Sequence, residues 1–209
     1  MKIAVINETS AAAKNAAIIE ALSGRGYDII NLGMKESGGH ELTYIHTGFL
    51  TGLVLNAGLV DYVVGGCGTG QGYLNAAMQY PGVFCGLITE SLDGWLFNKI
   101  NGGNSVSLAL NKGFGWAGDV NLRFIFDRLF DGEAGCGYPE HRKDSQQASR
   151  RLLAEISQAA HPHYADLIKR LPAGIAAHSV AMPGVAEFLD AGGLSEEIRS
   201  ALRSCGAVL

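Results

Sequence analysis

The chain has 209 residues, of which 47% are hydrophobic and 17% charged, with a formal net charge of -4. That size fits one domain, or one domain with an appendage, with ample apolar material for a core. The acidic balance and the lack of a Lys/Arg run exclude a general nucleic-acid surface, and no apolar stretch reaches the ~20 residues that cross a bilayer.

Met1 to Val5 leads straight into strand-like sequence without the layout of a signal peptide, so the cytoplasm is the expected compartment. Cys67, Cys85, Cys136 and Cys205 form no C-x-x-C pair and no zinc-ligand spacing, which predicts neither a disulfide framework nor a metal site. Cys85, inside the apolar run Val83 to Ile88, reads as a small buried hydrophobe.

In chain order, Ile3-Ala4-Val5-Ile6 predicts a buried strand. Ser10 to Leu22 predicts a helix capped at Thr9 or Ser10 and ended by Gly24. Tyr27 to Leu32 is a second strand, followed by a glycine-bearing loop over 33–41 and a helix from Thr43 to Asn56. Tyr62-Val63-Val64 is a third strand that runs into Gly65 to Gly72. Asn75 to Gln79 belongs to a helix that stops at Pro81. Val83 to Ile88 is a fourth strand, Ser91 to Lys99 a helix with Ser91 as its candidate cap, and Val106 to Leu110 a fifth strand. Asp119 to Phe130 is a helix with Leu122, Ile125, Phe126 and Leu129 on its apolar face.

Strands alternating with helices imply parallel pairing through right-handed crossovers. The expected fold class is therefore α/β, a doubly wound three-layer sandwich with a five-stranded parallel sheet, over residues 1–143. Residues 144–209 carry helical patterns only, at Gln147 to Ala160, Tyr164 to Leu171, Val185 to Ala191 and Ser195 to Cys205, broken at Ala181-Met182-Pro183-Gly184. They predict a helical extension packed on the sandwich or on a partner subunit. In open sheets of this kind ligands bind beyond the carboxyl ends of the strands, which selects the loops at 7–10, 33–41, 65–72, 89–91 and 111–118.

The loop at 65–72 reads Gly-Gly-Cys-Gly-Thr-Gly-Gln-Gly. Glycines let backbone approach a ligand, and a loop that leaves a strand to open a helix aims free N–H groups at one point, which suits an anion. Dinucleotide binding is rejected: the loop follows the third strand, its spacing fits G-x-G-x-x-G poorly, and the next strand ends Gly86-Leu87-Ile88-Thr89 without an acidic residue. A Walker A loop is excluded because no Gly-Lys-Ser/Thr occurs. A thiol at a helix N-terminus favours the thiolate, which can act as nucleophile or general base, with the loop amides as an oxyanion site. A structural tight turn is the competing reading.

Cys67-Gly68-Thr69-Gly70-x-Gly72 ahead of Asn75-Ala76-Ala77 resembles the signature of type B ribose-5-phosphate isomerases and the related galactose-6-phosphate isomerase subunits, a resemblance that covers residues 1 to about 143. It implies aldose–ketose isomerisation of a small sugar phosphate through a cis-enediol, in a homodimer or higher homo-oligomer with sites between subunits and with no metal or other cofactor. It assigns Cys67 as the catalytic base, Gly68, Gly70 and Gly72 to the amide cradle, Thr69 to the oxygen end of the substrate, and Asn101 and Arg142 to substrate binding. Thr69 as a loop brace, and Asn101 and Asn104 as turn residues around Gly102-Gly103, remain open.

Three departures stand out. Where the family shows Asp-His after the first strand, this chain has Glu8-Thr9, so the binding carboxylate is kept on a longer stem and the imidazole is lost. Ile100 replaces a histidine that serves ring opening. Of two phosphate-binding arginines only Arg142 is matched, with His141 and Lys143 beside it as candidate substitutes. These losses point to a substrate that is already open, such as erythrulose 4-phosphate and erythrose 4-phosphate, in which O4 carries the phosphate and cannot close a furanose. A non-catalytic sugar-phosphate-binding subunit and a ribose 5-phosphate/ribulose 5-phosphate isomerase are the alternatives. Lys112 to Trp116 is expected either to border the pocket or to pack a dimer contact.

Overall fold

The computed structural model describes residues 1–209. Five strands, β1 (Lys2–Asn7), β2 (Asp28–Asn31), β3 (Tyr62–Cys67), β4 (Cys85–Ile88) and β5 (Ser105–Ala109), form one sheet in the order β2-β1-β3-β5-β4. Every pairing is parallel. The first half carries α1 (Asn15–Leu22), α2 (Tyr44–Asn56), α3 (Gln71–Ala77), α4 (Ser91–Leu96) and α5 (Gly118–Leu129).

The inner strands β1, β3 and β5 bury both faces, as parallel strands covered by crossover helices do, while the edge strands β2 and β4 are half-buried. Along β1, Ala4 and Ile6 join one apolar cluster with α2 and α3, while Ile3 and Val5 join the other with α1 and α5. The sandwich is thus three-layered and doubly wound. The chain leaves β1 toward β2 and leaves β3 toward β4, so the winding reverses between β1 and β3. There Asn7 pairs in register with Gly66, and the crevice beyond them is where ligands bind in such sheets.

The C-terminal part is α6 (Lys143–Ala160), α7 (Tyr164–Arg170), α8 (Ile175–Val180), α9 (Val185–Ala191) and α10 (Glu196–Ser204). Helices α7 to α10 supply Ile168, Val180, Val185, Leu189 and Leu202 to the same cluster that holds Phe49 and Leu53 of α2. They extend the core of the sandwich instead of building a second one. Helix α6 buries no residue, and Leu152, Leu153 and Ile156 on it are each more than half exposed. No helix is long and apolar enough to cross a membrane.

Local departures from the sequence reading have identifiable causes. The first helix opens as a 3-10 turn, Thr9–Lys14, because Asn15 is buried and donates to Asn7 Oδ1 at 2.6 Å, tying the helix start to the end of β1. Glu90, not Ser91, caps α4, in a reciprocal box with Asp93. After α4 the chain continues in a π-type turn, Phe97–Asn101.

Candidate active site

Of the five glycines in 65–72, three serve packing. Gly65 and Gly66 lie inside β3, not in a loop. A Cβ on Gly65 would stand 2.0 Å from the Tyr73 ring, and one on Gly66 2.5 Å from the Leu108 carbonyl on β5. Gly72 is in the first turn of α3, where a Cβ would meet the Tyr44 ring at 2.9 Å. Only Gly70 adopts a left-handed conformation, φ +77°, which turns the chain into α3. The tip of the loop is Cys67 to Gly70.

Cys67 ends β3 and is 6% exposed. Its carbonyl accepts the Leu110 amide at 3.0 Å, so β5 holds it in place. The Thr69 hydroxyl stands 4.0 Å from the Cys67 sulfur and accepts the Gln71 amide at 3.3 Å. Thr69 therefore braces the loop and also faces the thiol. The amide of Gly68 donates to Ser10 Oγ at 2.9 Å. With the Gly68 and Gln71 amides engaged, those of Thr69, Gly70 and Gly72 meet no protein acceptor. Free N–H groups at the end of a strand suit an anion.

Across the switch point, Glu8 follows β1 and is 5% exposed, and the Ser10 hydroxyl donates to its Oε1. Asn111 completes this side: its Nδ2 donates to the Ser10 carbonyl at 2.8 Å, and its amide donates to the Gly68 carbonyl at 2.9 Å. Ser10 and Asn111 carried no motif signal; only their membership of two strand-end loops pointed to them. Beyond Asn111, Trp116 is fully exposed and Phe114 lies under Lys14 Nζ at 4.7 Å.

Asn101 and Arg142 lie elsewhere. Asn101 precedes β5, at the opposite end of the sheet from Cys67, whose register partner Ala109 ends that strand. The length of β5 alone separates them by about 13 Å. Asn101 and Arg142 share instead a cavity of about 420 Å³ with Ile100, Phe97, Ser149 and Leu153. Arg142 donates from Nε to Ser145 at 3.4 Å and keeps its terminal nitrogens free. The nearby Arg150 is committed to the carbonyls of Gly102 (2.9 Å) and Gly135 (3.3 Å). Burial pushes the Cys85 thiol in the same wall up to about 12. Asn104 is structural: it donates to the Gly82 carbonyl and accepts the Phe84 amide. Lys143 faces Glu140 at 4.0 Å.

A protein-family model described as ribose/galactose isomerase matches residues 3–118. Among curated proteins no sequence matches. A solved structure of a ribose-5-phosphate isomerase from Vibrio parahaemolyticus is 40% identical, with 98% of this chain and 99% of that one covered and a TM-score of 0.93. A 4-deoxy-L-threo-5-hexosulose-uronate ketol-isomerase, solved with a tartrate, is 37% identical over the same shares, also at 0.93. A ribose-5-phosphate isomerase B from Clostridium thermocellum is 22% identical, covers 77% of this chain and 100% of its own, and at a TM-score of 0.65 shares the fold.

Proposed function

The chain belongs to the ribose/galactose isomerase family and is an aldose–ketose isomerase, and from that premise we propose that its substrate is an open-chain sugar acid and that Cys67 is the base. The thiolate removes the proton from the hydroxyl-bearing carbon next to the aldehyde. The electron pair forms the enediol double bond, and the former aldehyde oxygen takes the charge between the Thr69 and Gly70 amides. The hydroxyl proton passes from the C2 oxygen to the C1 oxygen, and the same sulfur returns the carbon proton to C1, so the atoms balance without a cofactor.

The observation that carries the substrate class is the wall of the Asn101–Arg142 cavity. Its ionisable groups are Arg142, Arg150 and Cys85, and Ile100 stands beside Asn101. Two guanidiniums and a thiol raised to about 12 hold their protons at neutral pH, so the wall suits a substrate that needs no ring opened. A 4-deoxy-5-hexosulose uronate is such a compound. It has no oxygen on C4, and its C5 is a ketone, so neither can close onto C1. Its carboxylate matches one free guanidinium in a planar, bidentate contact. The likeness to the uronate ketol-isomerase, which runs through the C-terminal helices, supports this reading. Erythrose 4-phosphate is equally open but sets a phosphate dianion against that single arginine.

Because Cys67 and Asn101 are too far apart for one six-carbon substrate, the complete site combines the Cys67 loop of one copy with the Asn101–Arg142 cavity of another. The exposed apolar face of α6 supports this, since Leu153 belongs both to that face and to the cavity wall. The name of the Vibrio parahaemolyticus neighbour favours ribose 5-phosphate as the second reading.

The test compares the uronate, erythrulose 4-phosphate and ribulose 5-phosphate in D2O, following turnover and deuterium uptake at the substrate carbon. Preference for the uronate by about 100-fold or more in kcat/KM is expected; preference for ribulose 5-phosphate overturns the substrate class. Cys67→Ala should lower exchange about 1,000-fold while binding persists. Exchange undiminished in that variant removes Cys67 as the base, and no exchange in the unaltered protein would mark a binding subunit.

A further inference from the structure

We propose that Ser10 is a positioning residue of this isomerase, which uses the Glu8 carboxylate to lock the Gly68 peptide and so decides which loop amides face the substrate. The proposal rests on the reading of the Cys67 loop as the site of proton transfer.

A carboxylate as buried as Glu8, at 5% exposure, requires a donor, and the Ser10 hydroxyl supplies one. Once its proton is committed there, the hydroxyl oxygen faces its other neighbour as an acceptor only, and takes the Gly68 amide at 2.9 Å. Hydrogen bonds in such a chain polarise one another, so the charge on Glu8 strengthens the hold on Gly68.

The opposite side of the same residue is fixed as well. The Gly68 carbonyl accepts the amides of Asn111 and Lys112 at 2.9 and 3.0 Å, and the Asn111 side chain returns to the Ser10 carbonyl at 2.8 Å. Ser10, Gly68 and Asn111 close a ring of contacts that joins the ends of β1, β3 and β5. A Cβ on Gly68 would stand 3.1 Å from Ser10 Oγ and 3.3 Å from Asn111 Nδ2, so the ring leaves little room for another residue.

The consequence is selective. The Gly68 N–H is withdrawn from the substrate, while the amides of Thr69 and Gly70 stay free. An oxyanion site works through donors fixed in place before the charge develops, so loss of this lock should weaken the transition state more than the ground state.

Ser10→Ala, Ser10→Thr, Glu8→Gln and the Ser10→Ala/Glu8→Gln double variant test this in the full chain. Hydrogen exchange of the Gly68 amide, measured on the resting protein, reads the lock whatever the substrate; kcat and KM are read on whichever of the three substrates the unaltered protein turns over. Ser10→Ala should expose the Gly68 amide to exchange and lower kcat about tenfold with KM within about twofold, while Ser10→Thr restores both. In the Glu8→Gln background the loss of Ser10 should cost less than about threefold, because the two residues act as one unit. Unchanged Gly68 exchange in Ser10→Ala, an effect confined to KM, failure of Ser10→Thr to restore kcat, or fully additive losses would each overturn the proposal. Failure to convert the uronate, with the Gly68 results intact, counts against the substrate class alone.

Discussion

Tyr73 occupies the space that a side chain on Gly65 would need: a Cβ there would lie 2.0 Å from the ring and 2.3 Å from its hydroxyl oxygen. The ring is fully buried, and its hydroxyl shares hydrogen bonds with Thr51 (2.6 Å) and Ser105 (3.3 Å). Burial pushes this phenol well above its usual range, so it stays neutral. Gly65→Ala should destabilise the protein by about 3 kcal/mol or more, because neither the strand nor the anchored ring can yield. Tyr73→Phe keeps the ring and should cost about 1–2 kcal/mol for the two hydroxyls left behind. Urea denaturation of both variants checks the order.

Tyr164 presents the opposite case. Its hydroxyl is buried without a hydrogen-bond partner, while its ring packs edge-on against Tyr80 at 6.3 Å. Burial raises its titration well above the normal range, which restates that an unpartnered phenol is poorly placed in an apolar core. Tyr164→Phe should preserve the packing and gain about 1 kcal/mol, read as a higher denaturation midpoint at unchanged slope.

Three histidines join α8 to the first turn of α2 and the loop before it, and they give stability a pH dependence. His46 lies 4.4 Å from His178, which stacks on His40 at 4.1 Å. Its pKa is lowered from 6.5 by burial, then by the charges of His178 and His40. Its Nδ1 also accepts the Thr43 amide at 3.1 Å, which only an unprotonated nitrogen can do. With the folded value depressed, the unfolded chain binds more protons below about pH 6.5, so this contribution is full above that pH and is lost as pH falls toward and through the folded value. His46→Gln keeps a capping residue that does not titrate and should flatten the fall in Tm between about pH 7 and pH 5.

The order and type of the β/α elements were legible because each strand is a short apolar run and each crossover helix has a recognisable stop. Helix α8 was not: Gly174-Ile175-Ala176-Ala177-His178-Ser179-Val180 is too short to establish a period, and Ala176 and Val180 are held by burial against the sandwich, not by propensity. The glycine segment was legible as the turn from a strand into a helix, but the packing of its glycines was not. A sequence cannot distinguish glycines that admit a ligand from those that admit Tyr73, Tyr44 or a neighbouring backbone. Ser10 was read as a candidate helix cap in a strand-end loop, and its link to Glu8, Gly68 and Asn111 was hidden because these residues meet through sheet order. Sheet order also governs Asn101 and Cys67, which the parallel sheet sends to opposite ends.

That last separation yields the strictest prediction. If each site takes Cys67 from one copy and Arg142 from another, Cys67→Ala and Arg142→Ala are defects in different halves of every site. Each variant alone should be inactive or nearly so. Mixed and allowed to exchange subunits, the two should recover roughly a quarter of the unaltered activity, because half of randomly paired symmetric dimers are hybrids and one of the two sites in each hybrid is intact. A site built within one chain would gain nothing from mixing. Substituting Leu153 by Asp, on the exposed face of α6 beside the cavity, should abolish the recovery by preventing the copies from meeting while leaving the fold intact, since that side chain is more than half exposed in the single chain.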